Sequence, residues 1–264
     1  MSSISKRTLG FSLAATMALV FAATAPVCAD GIPVYASGHS DLCADYISTE
    51  GIFELHYHFH EGEYGLDEDG NHLEGEYEPS ELYTRVSDAT KNTVSANLAG
   101  FVGAPVGADL WWLPQTSQTG VPFVGMGTEE LTLSDWSGNI NYTLKGVSGP
   151  GQFSMWAVDG KGVLTTYWAT SDGIGPSDVY GQLADVHAHT NFGFTAEGVY
   201  TIQMQVSGTL DGGTTVSSEI ETFTFLVGSS TTVPEPGEFA LLAAACGMAG
   251  LAAWRKRRST NSRR

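Results

Sequence analysis

Three histidines alternate with apolar residues over the last six positions of the run Phe53-Glu54-Leu55-His56-Tyr57-His58-Phe59-His60. Imidazole ligates transition metals and exchanges protons near neutral pH, so spacing decides which chemistry such a set can perform. Apolar and histidine residues alternate here, which is the pattern of a β-strand whose successive side chains point to opposite faces. Leu55, Tyr57 and Phe59 then share one face and the imidazoles the other, with same-face neighbours about 6.5–7 Å apart. A second pair, His187-Ala188-His189, repeats the arrangement, and His39 stands two residues before Asp41. Six of the seven histidines fall into these three clusters, while His72 lies apart in an acidic stretch.

Zinc takes about four N, S or O donors in tetrahedral geometry, and two His-x-His strands that meet in a sheet can supply most of them. His56, His58, His187 and His189 are the favoured ligands, His39 and Asp41 complete the set, and His60 comes last because it borders a loop. The expectation is that His56 and His58 face the second His-x-His strand. Imidazoles suit zinc, copper and nickel alike, so the reading is a divalent transition metal with zinc favoured. The opposing reading is a solvated polar strand face bonded to acids such as Glu54. Cys43 stays open between a buried small hydrophobe and a further ligand. Calcium at Asp67, Asp69 and Asn71 is disfavoured, because His72 stands where a calcium loop needs its glycine turn. A zinc hydrolase would need a base such as Glu54, Asp41 or Asp185, but no His-Glu-x-x-His or Gly-x-Ser-x-Gly motif occurs. The chain therefore reads as non-enzymatic, with a purely structural or adhesive surface protein as the alternative to metal binding.

The elements that must position these residues are strands. Glycine and threonine are frequent, and no long stretch has helical periodicity. Strands are predicted at residues 32–35, 52–60, 82–86, 93–98, 108–114, 131–133, 138–144, 152–158, 162–169, 185–191, 201–208 and 221–227, with an exposed acidic loop over 61–81. The Phe194-to-Tyr200 segment resembles the corner and late strand of immunoglobulin-like domains. The fold class is all-β, an immunoglobulin-like antiparallel β-sandwich over residues 30–228, followed by a linker at 229–233.

Both ends carry processing patterns. Lys6-Arg7, an apolar run over 9–25 and Val27-Cys28-Ala29 form a secretory signal peptide, residues 1–29. At the other end Val233-Pro234-Glu235-Pro236 precedes an apolar run over 239–254 and then Arg255-Lys256-Arg257-Arg258. This tripartite pattern resembles a PEP-CTERM sorting signal, over 234–258 with a transmembrane helix, leaving a basic tail at 259–264. The resemblance implies an exosortase-type partner, at least transient membrane insertion, and delivery to the surface of a Gram-negative-type cell. Between the ends four basic side chains face 27 acidic ones, a net charge near −23, which disfavours nucleic acid and favours cations. Cys43 is the sole thiol of that region, so no disulfide can form within it.

Five blocks in order resemble the choice-of-anchor M domain of bacterial surface proteins. They are Gly38-His39-Ser40-Asp41, Leu55-His56-Tyr57-His58-Phe59, Leu110-Trp111-Trp112-Leu113-Pro114-Gln115, residues 122–131 and residues 187–195. The resemblance implies an extracellular β-domain associated with divalent-metal uptake, without a catalytic motif. A metal transporter and an extracellular polysaccharide are both open as physiological partners, and the sequence does not choose between them.

Overall fold

Alternating apolar and polar residues form strands along most of the chain. The structure is a computed structural model that describes residues 31–233. The signal peptide and the sorting signal, Pro234, Glu235, Pro236 and Arg255 to Arg258 included, lie outside the described residues. Among those described, no helix is long and apolar enough to cross a membrane.

The first strands are β1 (Val34–Ile47), β2 (Ile52–Phe59), β3 (Gly65–Asp67), β4 (His72–Leu73), β5 (Gly75–Tyr77) and β6 (Tyr83–Val86). Next come β7 (Lys91–Thr93), β8 (Asp109–Leu113), β9 (Pro122–Gly127), β10 (Ile140–Ser148), β11 (Phe153–Val158) and β12 (Leu164–Ala169). The last are β13 (Val179–Gln182), β14 (His187–His189), β15 (Asn191–Phe194), β16 (Gly198–Thr209), β17 (Thr215–Ser217) and β18 (Glu221–Val227). One sheet runs β13-β10-β16-β18-β6-β1-β2-β5, with β9 also paired to β1 and β14 to β9; the other runs β12-β11-β15-β8-β7. They pack as a sandwich around an aromatic core. Phe192 and Phe194 of β15 lie against Phe225 of β18, with ring centroids 6.1 and 5.5 Å apart. Tyr200, at the predicted corner, donates to the Ala196 carbonyl four residues upstream (3.1 Å).

The large sheet is mixed rather than purely antiparallel: β1 runs parallel to β6 and β9, and β18 parallel to β6. Parallel pairs need long connections, and some 75 residues separate β1 from β9, so local alternation could not announce this pairing. Residues 131–133 form no strand, and a 3-10 turn occupies Leu133–Asp135. Of the predicted strand at 93–98 only Thr93 is in a strand, as the end of β7. The acidic loop over 61–81 carries β3, β4 and β5. There the Asp67 carboxylate accepts from the Asp69 and Asn71 amides (3.0 and 2.8 Å) and from the Asn71 side chain (2.9 Å), so it caps a turn.

Residues 229–233, predicted as a linker, are fastened to the body. Arg85, buried and paired with Glu68 (2.6 Å), donates to the carbonyls of Gly228 (3.1 Å) and Thr231 (2.7 Å).

Candidate metal centre

β1 changes neighbours along its length, and that change creates the site. Val34 and Tyr35 pair with β6, and Tyr35 to Gly38 with β3; from there β9 takes over on one side and β2 on the other. The switch falls at Gly38, whose φ of +93° an L-residue rarely adopts, and where a Cβ would stand 2.3 Å from the Tyr64 carbonyl oxygen. β14 then adds to β9. Its entry is held by reciprocal bonds, Thr128 N–H to the Val186 carbonyl (2.8 Å) and Asp185 N–H to the Thr128 carbonyl (2.9 Å). Asp185 has the left-handed φ of +63° that short polar residues tolerate.

The register of these four strands sets side chains in rows. His58, Asp41, Gly125 and His189 form one row, and His56, Cys43, Gly127 and His187 the next. The intervening row, which includes Tyr57, Leu42 and Met126, points into the core with no exposed surface. Glycine on β9 is what lets the flanking donors lean inward. A Cβ on Gly125 would lie 1.8 Å from Asp41 Oδ1 and 3.0 Å from His189 Cε1, and one on Gly127 would lie 3.0 Å from Cys43 Sγ.

Six imidazoles form one continuous array. Ring centroids are 5.9 Å apart for His56 and His58, 4.6 Å for His58 and His60, 5.3 Å for His60 and His39, 4.9 Å for His39 and His189, and 5.5 Å for His189 and His187. Asp41, with no exposed surface, lies beneath them, its Oδ2 2.8 Å from His60 Nε2 and its Oδ1 3.4 Å from His39 Nε2. Glu129 and Glu130, on the turn after β9, reach in from one side. Glu129 Oε1 is 2.5 Å from His187 Nδ1 and its Oε2 3.1 Å from His60 Nε2. Glu130 Oε2 is 3.0 Å from His56 Nε2 and its Oε1 3.3 Å from His58 Nδ1. Glu63 holds the other side of His39 through Nδ1, a carboxylate–imidazole pair of the kind that orients a metal ligand.

Buried polar atoms in folded proteins are nearly always hydrogen bonded. Ten buried side-chain nitrogen or oxygen atoms among the described residues are not, and seven of them lie here: His39 Nε2, Asp41 Oδ1, His56 Nε2, His58 Nδ1, Glu129 Oε2, Glu130 Oε2 and His189 Nδ1. Several of them approach one another closely, yet outside hydrogen-bond geometry. Such a concentration of misaligned donor atoms suits a cation that accepts several lone pairs at once.

The electrostatics of the site are divided. Burial lowers the basicity of His39, but Asp41 and Glu63 outweigh it and raise its pKa above the ordinary range. His56 behaves likewise, with burial opposed and overcome by Glu130. Burial disfavours the Asp41 anion, but His39 and His60 draw its pKa below normal. Glu130 is lowered chiefly by His56. His189 is pushed down to about 4, chiefly by burial under the parallel ring of Phe123, 3.5 Å away between centroids. It is therefore neutral near pH 7, the form that ligates.

The predicted ligands do not form one four-histidine site. β1 and β9 stand between β2 and β14, so the two His-x-His pairs are three strand spacings apart, about 14 Å. The donors divide instead into neighbouring groups. His39, His187 and His189 can share one ion, as can His39, Asp41 and His60, or Asp41, Glu129 and His187. These overlapping sets make one outer basin beside an open cleft of about 770 Å³ lined by His39, His60, Glu63, Phe123, His187 and His189. His56 and His58 join Cys43 and Glu130 in a separate group. Glu129 and Glu130 were not among the predicted donors; His60, placed last there, lies in a group with His39 and Asp41, and Cys43, left open, lies in the group with His56, His58 and Glu130. Gly125 and Gly127, spaced by one residue like the histidines, are the signal that could have placed β9 in the site. His72 is exposed and stacks on Tyr64 at 3.9 Å.

No protein-family model, curated protein or solved structure matches the chain.

Proposed function

We propose that this protein is an exported, surface-anchored, non-enzymatic β-domain that binds a divalent transition metal, zinc favoured, and serves metal acquisition or homeostasis. The observation that carries the reading is the set of seven buried nitrogen and oxygen atoms without a hydrogen-bond partner, gathered at one site from residues up to 150 positions apart. The outer basin is the exchange site. It combines imidazoles with the Asp41 and Glu129 carboxylates, whose two negative charges balance a dication, and it opens to solvent through the cleft. The acidic exterior draws cations toward it.

Export and anchoring rest on the sequence patterns of the two ends, and an exosortase-type enzyme is the partner they imply. The resemblance to choice-of-anchor M domains points to the same setting, and the Tyr200 corner supports an immunoglobulin-like form of the sandwich. Metal content of the purified full chain, together with its His187→Ala/His189→Ala variant, tests the reading. Bound zinc that falls by about one equivalent in the variant supports it. A protein that holds no zinc at micromolar concentration overturns it in favour of an adhesive surface protein without metal.

A further inference from the structure

Beside the outer basin lies a donor set of different composition. Cys43 from β1, His56 and His58 from β2, and Glu130 from the turn after β9 each direct one ligand atom to a common point, with all four atoms within 4.8 Å of one another. The residues on β1 and β2 are fixed by the ladder, in which Cys43 pairs with His56. Cys43 has no exposed surface and His56 retains 6 %, while the His58 and Glu130 side chains keep 21 and 23 %. Neither Cys43 nor His56 lines the outer cleft. The two donor sets therefore differ in depth as well as in chemistry: one lines an open cleft and is made of nitrogen and oxygen, the other reaches down to a fully buried sulfur.

We propose that Cys43, His56, His58 and Glu130 form a second metal centre, a four-donor site that holds a structural zinc ion independently of the outer basin. The inference rests on the metal-binding reading above and adds to it a distinct site, stoichiometry and role. Four protein donors and no open position is the composition of a structural zinc site, whereas an exchange site keeps access to solvent. A tetrahedron with bonds of about 2.0–2.3 Å has edges of about 3.3–3.8 Å. His56 Nε2 and His58 Nδ1 already lie 3.0 and 3.3 Å from Glu130 oxygens. His56 Nε2, His58 Nδ1 and Glu130 Oε2 are buried without hydrogen-bond partners and face this point. One thiolate and one carboxylate with two neutral imidazoles neutralise a dication, so the loaded centre buries no net charge. On binding, the thiol proton of Cys43 leaves to solvent and the sulfur–metal bond takes its place. The ion would also fix Glu130, and with it the adjacent Glu129 that serves the outer basin. The inner ion thus positions a ligand of the outer one.

The test uses the full chain with Cys28→Ser and Cys246→Ser, so that Cys43 is its only thiol, loaded with cobalt(II) and separately with zinc, then desalted. About two ions per chain are expected, with the near-ultraviolet sulfur-to-cobalt charge-transfer band of a thiolate ligand. Cys43→Ser removes the band and about one ion, while His187→Ala/His189→Ala removes about one ion and leaves the band. Glu130→Gln, whose fold is checked by thermal unfolding, loses the inner ion too, and stands in for Cys43→Ser should that variant not fold. Absence of the band in the parent, or two ions retained by Glu130→Gln, overturns the inner centre. Loss of one ion in the double-histidine variant without any sulfur band leaves the outer site standing and the inner refuted. A band with no ion lost in that variant refutes the outer site alone.

Discussion

The two faces of the strands β2, β1, β9 and β14 are made by one backbone and consist of opposite materials. On one side Leu55, Tyr57, Phe59, Leu42, Val124 and Met126 are at most 2 % exposed and belong to the sandwich core. On the other side the same strands carry His56, His58, Cys43, Asp41 and His189, buried or half-buried too, with His187 exposed at the rim, and there one buried nitrogen or oxygen atom of each of His56, His58, Asp41 and His189 lacks a hydrogen-bond partner. Burial stabilises the first face, because removing apolar surface from water is favourable at roughly 25 cal/mol per Å². On the second it is unfavourable, since a buried polar group without a hydrogen-bond partner costs about 1–3 kcal/mol, a cost that the proposed cation would offset. Stability thus comes from one face, and the proposed metal binding would make the other face's contribution depend on a ligand.

That contrast can be broken by mutation on each side. Phe59→Ala should give the largest effect, about 3–5 kcal/mol in denaturant unfolding, because the ring is buried edge-on against Tyr35 and Tyr77. An equal loss with and without zinc would confirm that the apolar face acts independently of the metal. Zinc at a hundred times its dissociation constant should stabilise the protein by about 2.7 kcal/mol per site, an increment that chelation reverses and that His187→Ala/His189→Ala reduces. Unfolding midpoints that ignore zinc would erase the distinction between the faces. Gly125→Ala should cost about 1–3 kcal/mol through overpacking against Asp41 and weaken outer-site binding about 10- to 100-fold, read by competition with a chromogenic chelator. At the small end, His72→Ala should change stability by less than about 0.5 kcal/mol and leave the metal content as it was. A lost ion in that variant would show that the donor face extends beyond the six clustered histidines.

Much of the sandwich was legible where alternation is strict. The strands at Ile52–Phe59, Gly198–Thr209 and Glu221–Val227 follow from period-2 patterning alone, since each has one apolar face to bury. Leu131 and Leu133 alternate equally well, yet no strand forms, because two residues without a partner ladder cannot define one. The candidate site was legible as residue types and not as an arrangement. His39, Asp41, His56, His58, His187 and His189 all lie on the predicted face, but which of them lie close enough to hold one ion depends on the order of strands across the sheet. The parallel pairing of β1 with β9 sets that order, and it leaves no local trace. Cys43 was ambiguous for the same reason: its burial follows from its type, while its neighbours follow from register. Glu129 and Glu130 sit in a turn, where acidic residues are ordinary and carry no periodic signal.

The fastening of residues 229–233 has a mechanical meaning. β18 lies between β16 and β6, bonded on both edges, so a pull on the chain beyond Val227 acts along the strand and must shear both ladders together. Before that load reaches β18 it meets the Arg85 guanidinium, which grips the Gly228 and Thr231 carbonyls and is itself held by Glu68 in the segment after β3. Force entering through the C-terminal segment is therefore passed into β6 and the β3–β4 turn as well as into β18. It spreads over the sheet's centre before it can peel away an edge such as β14, so the strand that carries His187 and His189 is shielded from tension on the tail.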